Sequence, residues 1–235
     1  MSPAILCLET SGKFLSLALM YNDRMTSSHY KVEQSHTQHL LQATDQLLAE
    51  AGIKIQQLDA LAFGCGPGSF TGIRIATSFA HGVALGCNLG LIPVSTLATL
   101  AYTGHRLTGK THILAILDAR MDEVYWAQYQ IFTNGSTPRI TARTTEQRTQ
   151  PAVISLQHIN QHGTAIPATE YLAIGNGCIT KNPMPDTLKK LQYEKHTPLA
   201  TDMLHLAMQA FAQGKIMSPT QALPVYLRQQ VVQGA

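Results

Sequence analysis

Two stretches of this chain repeat one pattern, and the repeat limits what it can fold into. Residues 4–10, AILCLET, form a short apolar run that ends in the acid Glu9. A turn at Ser11-Gly12 follows, and FLSLALMY over 14–21 reads as a second strand. Asn22-Asp23 is turn chemistry, and MTSSHYKV resumes as a third strand. Residues 112–120, HILAILDAR, are again an apolar run carrying an acid, Asp118. A turn at Met121-Asp122 and the strand-like EVYWAQYQIF come next. Placing Glu9 over Asp118, an offset of 109 residues, aligns Ile5-Leu6-Cys7-Leu8 with Leu114-Ala115-Ile116-Leu117. It also aligns Leu15-Ser16-Leu17-Ala18 with Val124-Tyr125-Trp126-Ala127. Two related halves are one reading of this, and two unrelated hairpins that look alike are the other.

Helices and further strands follow each hairpin. Ser35-His36-Thr37-Gln38 fits a capping box. Leu40, Leu41, Thr44, Leu47, Leu48 and Ala51 then recur at helical spacing up to Gly52. Leu58 to Phe63 reads as a buried strand, and the loop Gly64-Cys65-Gly66-Pro67-Gly68-Ser69-Phe70-Thr71-Gly72 leads into a helix from about Ile73 to Leu85. Leu91 to Val94 is a strand, and Ser95 caps a helix to about Ala101. The first half is therefore βββαβα, and the fold class is α/β. Residues 133–165 are polar, rich in Thr, Gln and Pro, and are expected to include long loops. Tyr171 to Ile174 is a strand running into Gly175-Asn176-Gly177. Met203, Leu204, Ala207, Met208 and Phe211 place a last helix over about 201–213, and residues 223–228 are extended. At 235 residues the chain suits one large domain or two small ones. The division expected is 1–104 and 105–235, with the last helix free to pack on the first lobe.

Composition narrows the function classes. Charged residues are 13%, about half the ~25% of ordinary domains, which fits a surface partly hidden against a partner. A net charge of +3 and the lack of any Lys/Arg run do not support a nucleic-acid surface of its own. Cys7, Cys65, Cys87 and Cys178 show no CxxC spacing, so zinc-knuckle and thioredoxin-like motifs are disfavoured. Cys7 and Cys65 read as buried small hydrophobes. No leader-like segment and no apolar run of membrane length is found, and the chain reads as soluble and cytoplasmic.

The glycine loop is the sharpest local feature. Its glycines allow close backbone approach, and free N–H groups at the helix start would hold an anion. The other reading is a tight strand–helix turn with Thr71 as N-cap. A Walker A loop is excluded because the Gly-Lys-Ser/Thr ending is absent. The phosphate-loop-like set is Glu9, Ser11, Gly66, Gly68, Ser69, Thr71 and Asp118. Glu9 and Asp118 would face a nucleotide through metal and water, or each would simply cap a turn. His36 and His39 lack a third ligand, His81 and His105 lack companions, and no His/Asp set accompanies Ser69. Gly72, Ala76, Ala80 and Ala84 lie four apart, a small-residue ridge flanked by Ile73, Phe79 and Val83. Such a ridge admits a close neighbour, within the chain or outside it.

Five segments, in order, resemble the TsaB (YeaZ) family. They are Leu8-Glu9-Thr10-Ser11, the run from Gly66 through Gly72 to Ile73-Arg74-Ile75, Val94-Ser95-Thr96-Leu97, the run Asp118 to Tyr125, and Pro224-Val225-Tyr226-Leu227-Arg228. The resemblance spans nearly the whole chain. It implies an actin-like fold of two ribonuclease-H-like lobes, the second reduced. It implies a non-catalytic subunit that docks on and activates TsaD, with the ATPase TsaE, in transfer of threonylcarbamoyl to adenosine 37 of ANN-decoding tRNAs. The tRNA is reached through the complex, ATP/ADP and metal belong to partner subunits, and a homodimer is open to the chain alone. Two departures fit that role. The HxxxH metal pair of TsaD is missing from Ser95 to Leu100, and Glu9 replaces the usual Asp. In the family the first two helices pair with TsaD or a second copy. That implies an interface of His36, Leu40, Leu41, Leu47, Gly72, Ile73, Ala76, Ala80 and Val83, to be broken by Ala76→Arg or Ala80→Arg without unfolding. A free-standing actin-like ATPase or kinase is the alternative, and a glycoprotease-like peptidase is weaker still.

Overall fold

The computed structural model describes residues 2–31, 36–133, 138–143, 146–149, 170–177 and 191–227. The capping-box Ser35, Cys178, Arg228 and most of the polar stretch 133–165 lie outside the described residues. The chain divides into two units. One runs to Thr99 and includes Pro198–Val225, and the other runs from Leu100 to Thr197.

In the first unit β1 (Ile5–Glu9), β2 (Phe14–Tyr21) and β3 (Arg24–Lys31) form an antiparallel meander. α1 (His36–Ala51) follows, then β4 (Ala60–Gly66), α2 (Phe70–Cys87), β5 (Gly90–Ser95) and the start of α3 (Thr96–Thr108), whose residues from Leu100 on belong to the second unit. β4 pairs parallel with β1, and β5 with β4, so the strand order is β3-β2-β1-β4-β5. Both faces of this sheet are covered, and for that reason β1 and β4 read as unbroken apolar runs rather than as alternation. Leu6, Leu8, Leu17, Leu61 and Phe63 join the core with α1 and α2. Ile5, Cys7, Ala18, Ala60 and Ala62 face Ala200, Met203, Leu204 and Ala207 of α4 (Ala200–Ala212), so the last helix packs on the first sheet. Small side chains on both partners there let α4 approach closely.

The second unit holds β6 (His112–Arg120), β7 (Glu123–Phe132), β8 (Arg139–Ala142), β9 (Gln147–Thr149), β10 (Tyr171–Ile174) and β11 (Gln192–Glu194). Its order is β8-β7-β6-β10-β11, with β9 also pairing β7. An antiparallel meander again precedes two parallel strands, so the first sheet's order is repeated. Trp126, Tyr171, Leu114 and Ile116 centre one face. Gly104 of α3 lies on the other, where a Cβ would come within 2.9 Å of Leu172.

Several boundaries differ from expectation. α2 starts at Phe70, because Ser69 rather than Thr71 is the N-cap, its Oγ accepting from the Gly72 N–H at 3.3 Å. α3 runs seven residues past Ala101, to Thr108. β8 and β9 lie in the stretch expected to include long loops, since short polar strands lack an apolar signature. Among the described residues no helix is long and apolar enough to cross a membrane.

Candidate functional site

The hairpin acids and the glycine loop come first. Glu9 ends β1 and is buried, and its Oε1 accepts from the Ser11 N–H at 2.5 Å. In the second unit Asp118 Oδ1 accepts from the Arg120 N–H at 2.8 Å, while its own N–H donates to Asn176 Oδ1 at 2.9 Å. Each acid therefore holds the N–H two residues on, which is turn capping. Asp118 and Glu9 belong to different units.

The glycine loop packs on the first hairpin turn. A Cβ at Gly72 would overlap the Thr10 carbonyl oxygen, and one at Gly68 would lie 2.7 Å from Ser11 Cβ. Thr10 Oγ1 donates to the Gly72 carbonyl at 2.8 Å, and the Ser69 N–H donates to the Ser11 carbonyl at 2.8 Å. Gly66 has φ +104°, a region that favours glycine, and its Cα side faces Ile73 and the Val225 carbonyl. Of the phosphate-loop-like set the structure brings Glu9, Ser11, Gly68 and Ser69 together. Their close approaches are taken up by the chain's own backbone, and the Ser69 and Gly72 N–H groups by its own oxygens. Thr71 is exposed and points elsewhere, into the groove described next. Burial pushes the Glu9 carboxyl up to about 7, with hydrogen bonds from Ser11 and its neighbours only partly opposing. Among the described residues no group of three His, Cys, Asp or Glu side chains is gathered as a metal site.

The small ridge of α2 faces inward. Gly72, Ile73, Ala76, Ala80 and Ala84 are buried in the first unit's core, as are Leu40 and Leu47 of α1. This corrects the expected interface: most of its residues hold the helices on the sheet. Val83 is half-buried and packs on the same core, and the His36 side chain lies outside the described residues. Of the expected set Leu41 alone is well exposed, at 55%. The free face of α2 carries a different row. Arg74, Ser78, Gly82 and Gly86, four apart, are all exposed, and Leu85 beside them is 73% exposed. A Cβ at Gly82 or Gly86 would meet nothing within 4 Å. Between α1 and α2 lies a groove of about 540 Å³, lined mainly by Leu40, Leu41, Phe70, Arg74, Ile75 and Phe79. The Arg74 guanidinium stacks on Phe70, 3.8 Å from the ring centroid. The sequence signal that marks this face is a pair of glycines inside a helix, where neither caps an end.

A sheet order used twice, with an acid at the same hairpin position each time, defines an actin-like α/β protein of two lobes. Comparison with known proteins agrees. The family model that matches, over residues 30–163, is that of TsaD, tRNA N6-adenosine threonylcarbamoyltransferase. The tRNA threonylcarbamoyladenosine biosynthesis protein TsaB of Escherichia coli K12 is 38% identical over 97% of this chain and 95% of its own length. That of Haemophilus influenzae is 41% identical over 53% of this chain and 52% of its own. YeaZ from Pseudomonas aeruginosa superposes with a TM-score of 0.85 at 35% identity, covering 97% of this chain and 100% of that one. The chain belongs to the TsaB family, and shares with TsaD the model that spans its middle.

Proposed function

We propose that this chain is a non-catalytic scaffold for threonylcarbamoyl transfer to adenosine 37 of ANN-decoding tRNAs in the cytoplasm. It docks on TsaD through the outer face of α1 and α2 and activates it. The observation that carries this reading is the 38% identity to TsaB of E. coli across nearly the full length of both chains. The helix face supports the docking. Glycine inside a helix costs roughly 0.5–1 kcal/mol relative to alanine, and nothing beyond the helix lies near Gly82 to require it. A partner helix crossing Ser78, Gly82 and Gly86 would supply the reason, since missing Cβ atoms let backbones approach. Leu41 and Leu85 would then leave water, each contributing up to about 1.5–3 kcal/mol.

In this reading ATP/ADP and metal are held by TsaD and the ATPase TsaE, and tRNA is reached through the assembly. The first unit supports a bystander role in chemistry, because Glu9 and the glycine loop serve the chain's own turns. A free-standing ATPase would need those groups available. The test is reconstitution of tRNA modification from purified TsaD, TsaE and threonylcarbamoyl-adenylate, with and without this chain. Transfer is expected with TsaD only when the chain is added, and not from the chain alone. Transfer by the chain without TsaD, or full transfer without the chain, would overturn the proposal.

A further inference from the structure

Glu9 is a titratable group that scaffolding does not use. Its Oε2 is buried and makes no hydrogen bond of good geometry, the Ser11 and Thr96 hydroxyls beside the carboxyl offsetting its burial only in part. That oxygen lies directly against the backbone of β4, because a Cβ at Gly64 would overlap it. The other oxygen holds the Ser11 N–H. Around the carboxyl are Thr10 and Ser11 from the turn, Ser16 from β2, Gly64 from β4, and Thr96 from the start of α3. None of these titrates. The charged and titratable groups on these elements are Lys13, exposed on the turn, Asp202, buried in the first turn of α4, His205 one turn further on, Arg74 and His81 of α2, and His105 and Arg106 in the last turn of α3. Among the described residues no charged group shifts the Glu9 carboxyl; burial and hydrogen bonds alone set its proton affinity.

From Glu9 a short chain of contacts reaches α2. Ser11, held by Oε1, accepts the Ser69 N–H through its carbonyl and has Gly68 packed on its side chain. Thr10 donates to the Gly72 carbonyl in the first turn of α2. That same turn presents Phe70 and Thr71 to the groove. A buried carboxylate whose donors do not make up for its lost hydration is costly, whereas the neutral acid costs less.

We propose that the Glu9 carboxyl is a proton-operated latch between the β1–β2 turn and the first turn of α2. Neutral, it stays seated and holds Ser11; ionised, its buried oxygen leaves for water, and the Ser11–Ser69 and Thr10–Gly72 contacts loosen. The direction of the pH effect follows from burial. Glu9 holds its proton more tightly folded, at about 7, than at the ordinary 4.5. The linked stability is therefore complete below about 4.5 and is lost as pH rises through about 7.

The latch does not depend on any partner, so the isolated chain tests it. Carbon-13 NMR of the Glu9 carboxyl would give its titration midpoint. Amide exchange of Ser11, Ser69 and Gly72, corrected for the intrinsic pH trend, would give the opening equilibrium between pH 5.5 and 8.5. The expected result is a midpoint near 7 with opening that rises at least about tenfold across that range, because each pKa unit carries about a tenfold change in the linked equilibrium. Glu9→Gln, a fixed neutral mimic, should show no such rise. A midpoint below 5 overturns the latch, and so does a midpoint near 7 with unchanged exchange at these amides. An equal rise in Glu9→Gln overturns it as well. If that variant does not fold, the titration and the wild-type exchange decide the matter.

Discussion

Ala76 and Ala80 have no exposed surface, and both lie in the apolar layer under α2. Ala80→Arg would drive a guanidinium into that layer with no acid to meet it. It should cost more than about 4 kcal/mol and abolish cooperative unfolding, a loss visible by circular dichroism. Folded Ala80→Arg with a wild-type melting temperature would contradict the inward ridge. Gly72→Ala, whose Cβ would overlap the Thr10 carbonyl, should destabilise by about 2–3 kcal/mol in urea titration even though alanine favours helix. Stability unchanged or raised by that substitution would mean the loop does not sit on the hairpin as described. At this scale the sequence was legible where chemistry is local. Ser95 caps α3, its Oγ accepting from the Ala98 N–H at 3.1 Å, as its place before the apolar run implied. Glu9 was visible as an acid closing a turn. Its buried oxygen was not, because that depends on Gly64 from a strand more than fifty residues away.

Among the elements, α2 carries two rows of small residues, one on each side. A four-residue spacing identifies a stripe on a helix but not the side it faces. Gly72-Ala76-Ala80-Ala84 and Ser78-Gly82-Gly86 have the same period, and the sheet below took the row of alanines. Burial of the expected residues therefore moves the candidate surface to the outer face of the same two helices. Gly82→Ala separates the two roles of that outer row. The isolated monomer should gain about 0.5–1 kcal/mol, since the new methyl meets nothing and the helix stiffens. Association with TsaD should weaken, because the methyl stands where a partner backbone would run. Denaturant titration and isothermal calorimetry give the two signs, and a gain in both would place the partner elsewhere. β8 and β9 show the opposite limit of legibility. Their sequences are polar and without clear alternation, so nothing but pairing with β7 marks them as strands.

Over the whole molecule, the repeat read from two hairpins holds at the level of sheet order. β3-β2-β1-β4-β5 and β8-β7-β6-β10-β11 are the same path. Register adds a detail that alignment of apolar runs missed. Leu8 faces Leu17, whereas Leu117 faces Tyr125, so the second hairpin closes one residue sooner than the 109-residue offset implies. The docking of residues 217–225 was not legible. Residues 217–225 return to the first unit, where Met217 pairs with Leu91, Ala222 accepts from His81 Nε2, and the Val225 N–H donates to the Cys65 carbonyl. Such contacts join residues over a hundred apart and leave no local period. The account as a whole rests on the outer face of α1 and α2. Its most direct test is light scattering after size-exclusion of TsaD mixed with wild-type chain, and with Ser78→Arg, which adds bulk and charge at an exposed site and should leave stability within about 0.5 kcal/mol. The prediction is a stable mixed complex for wild type and separate peaks for Ser78→Arg. Co-elution of Ser78→Arg with TsaD at wild-type strength would contradict it.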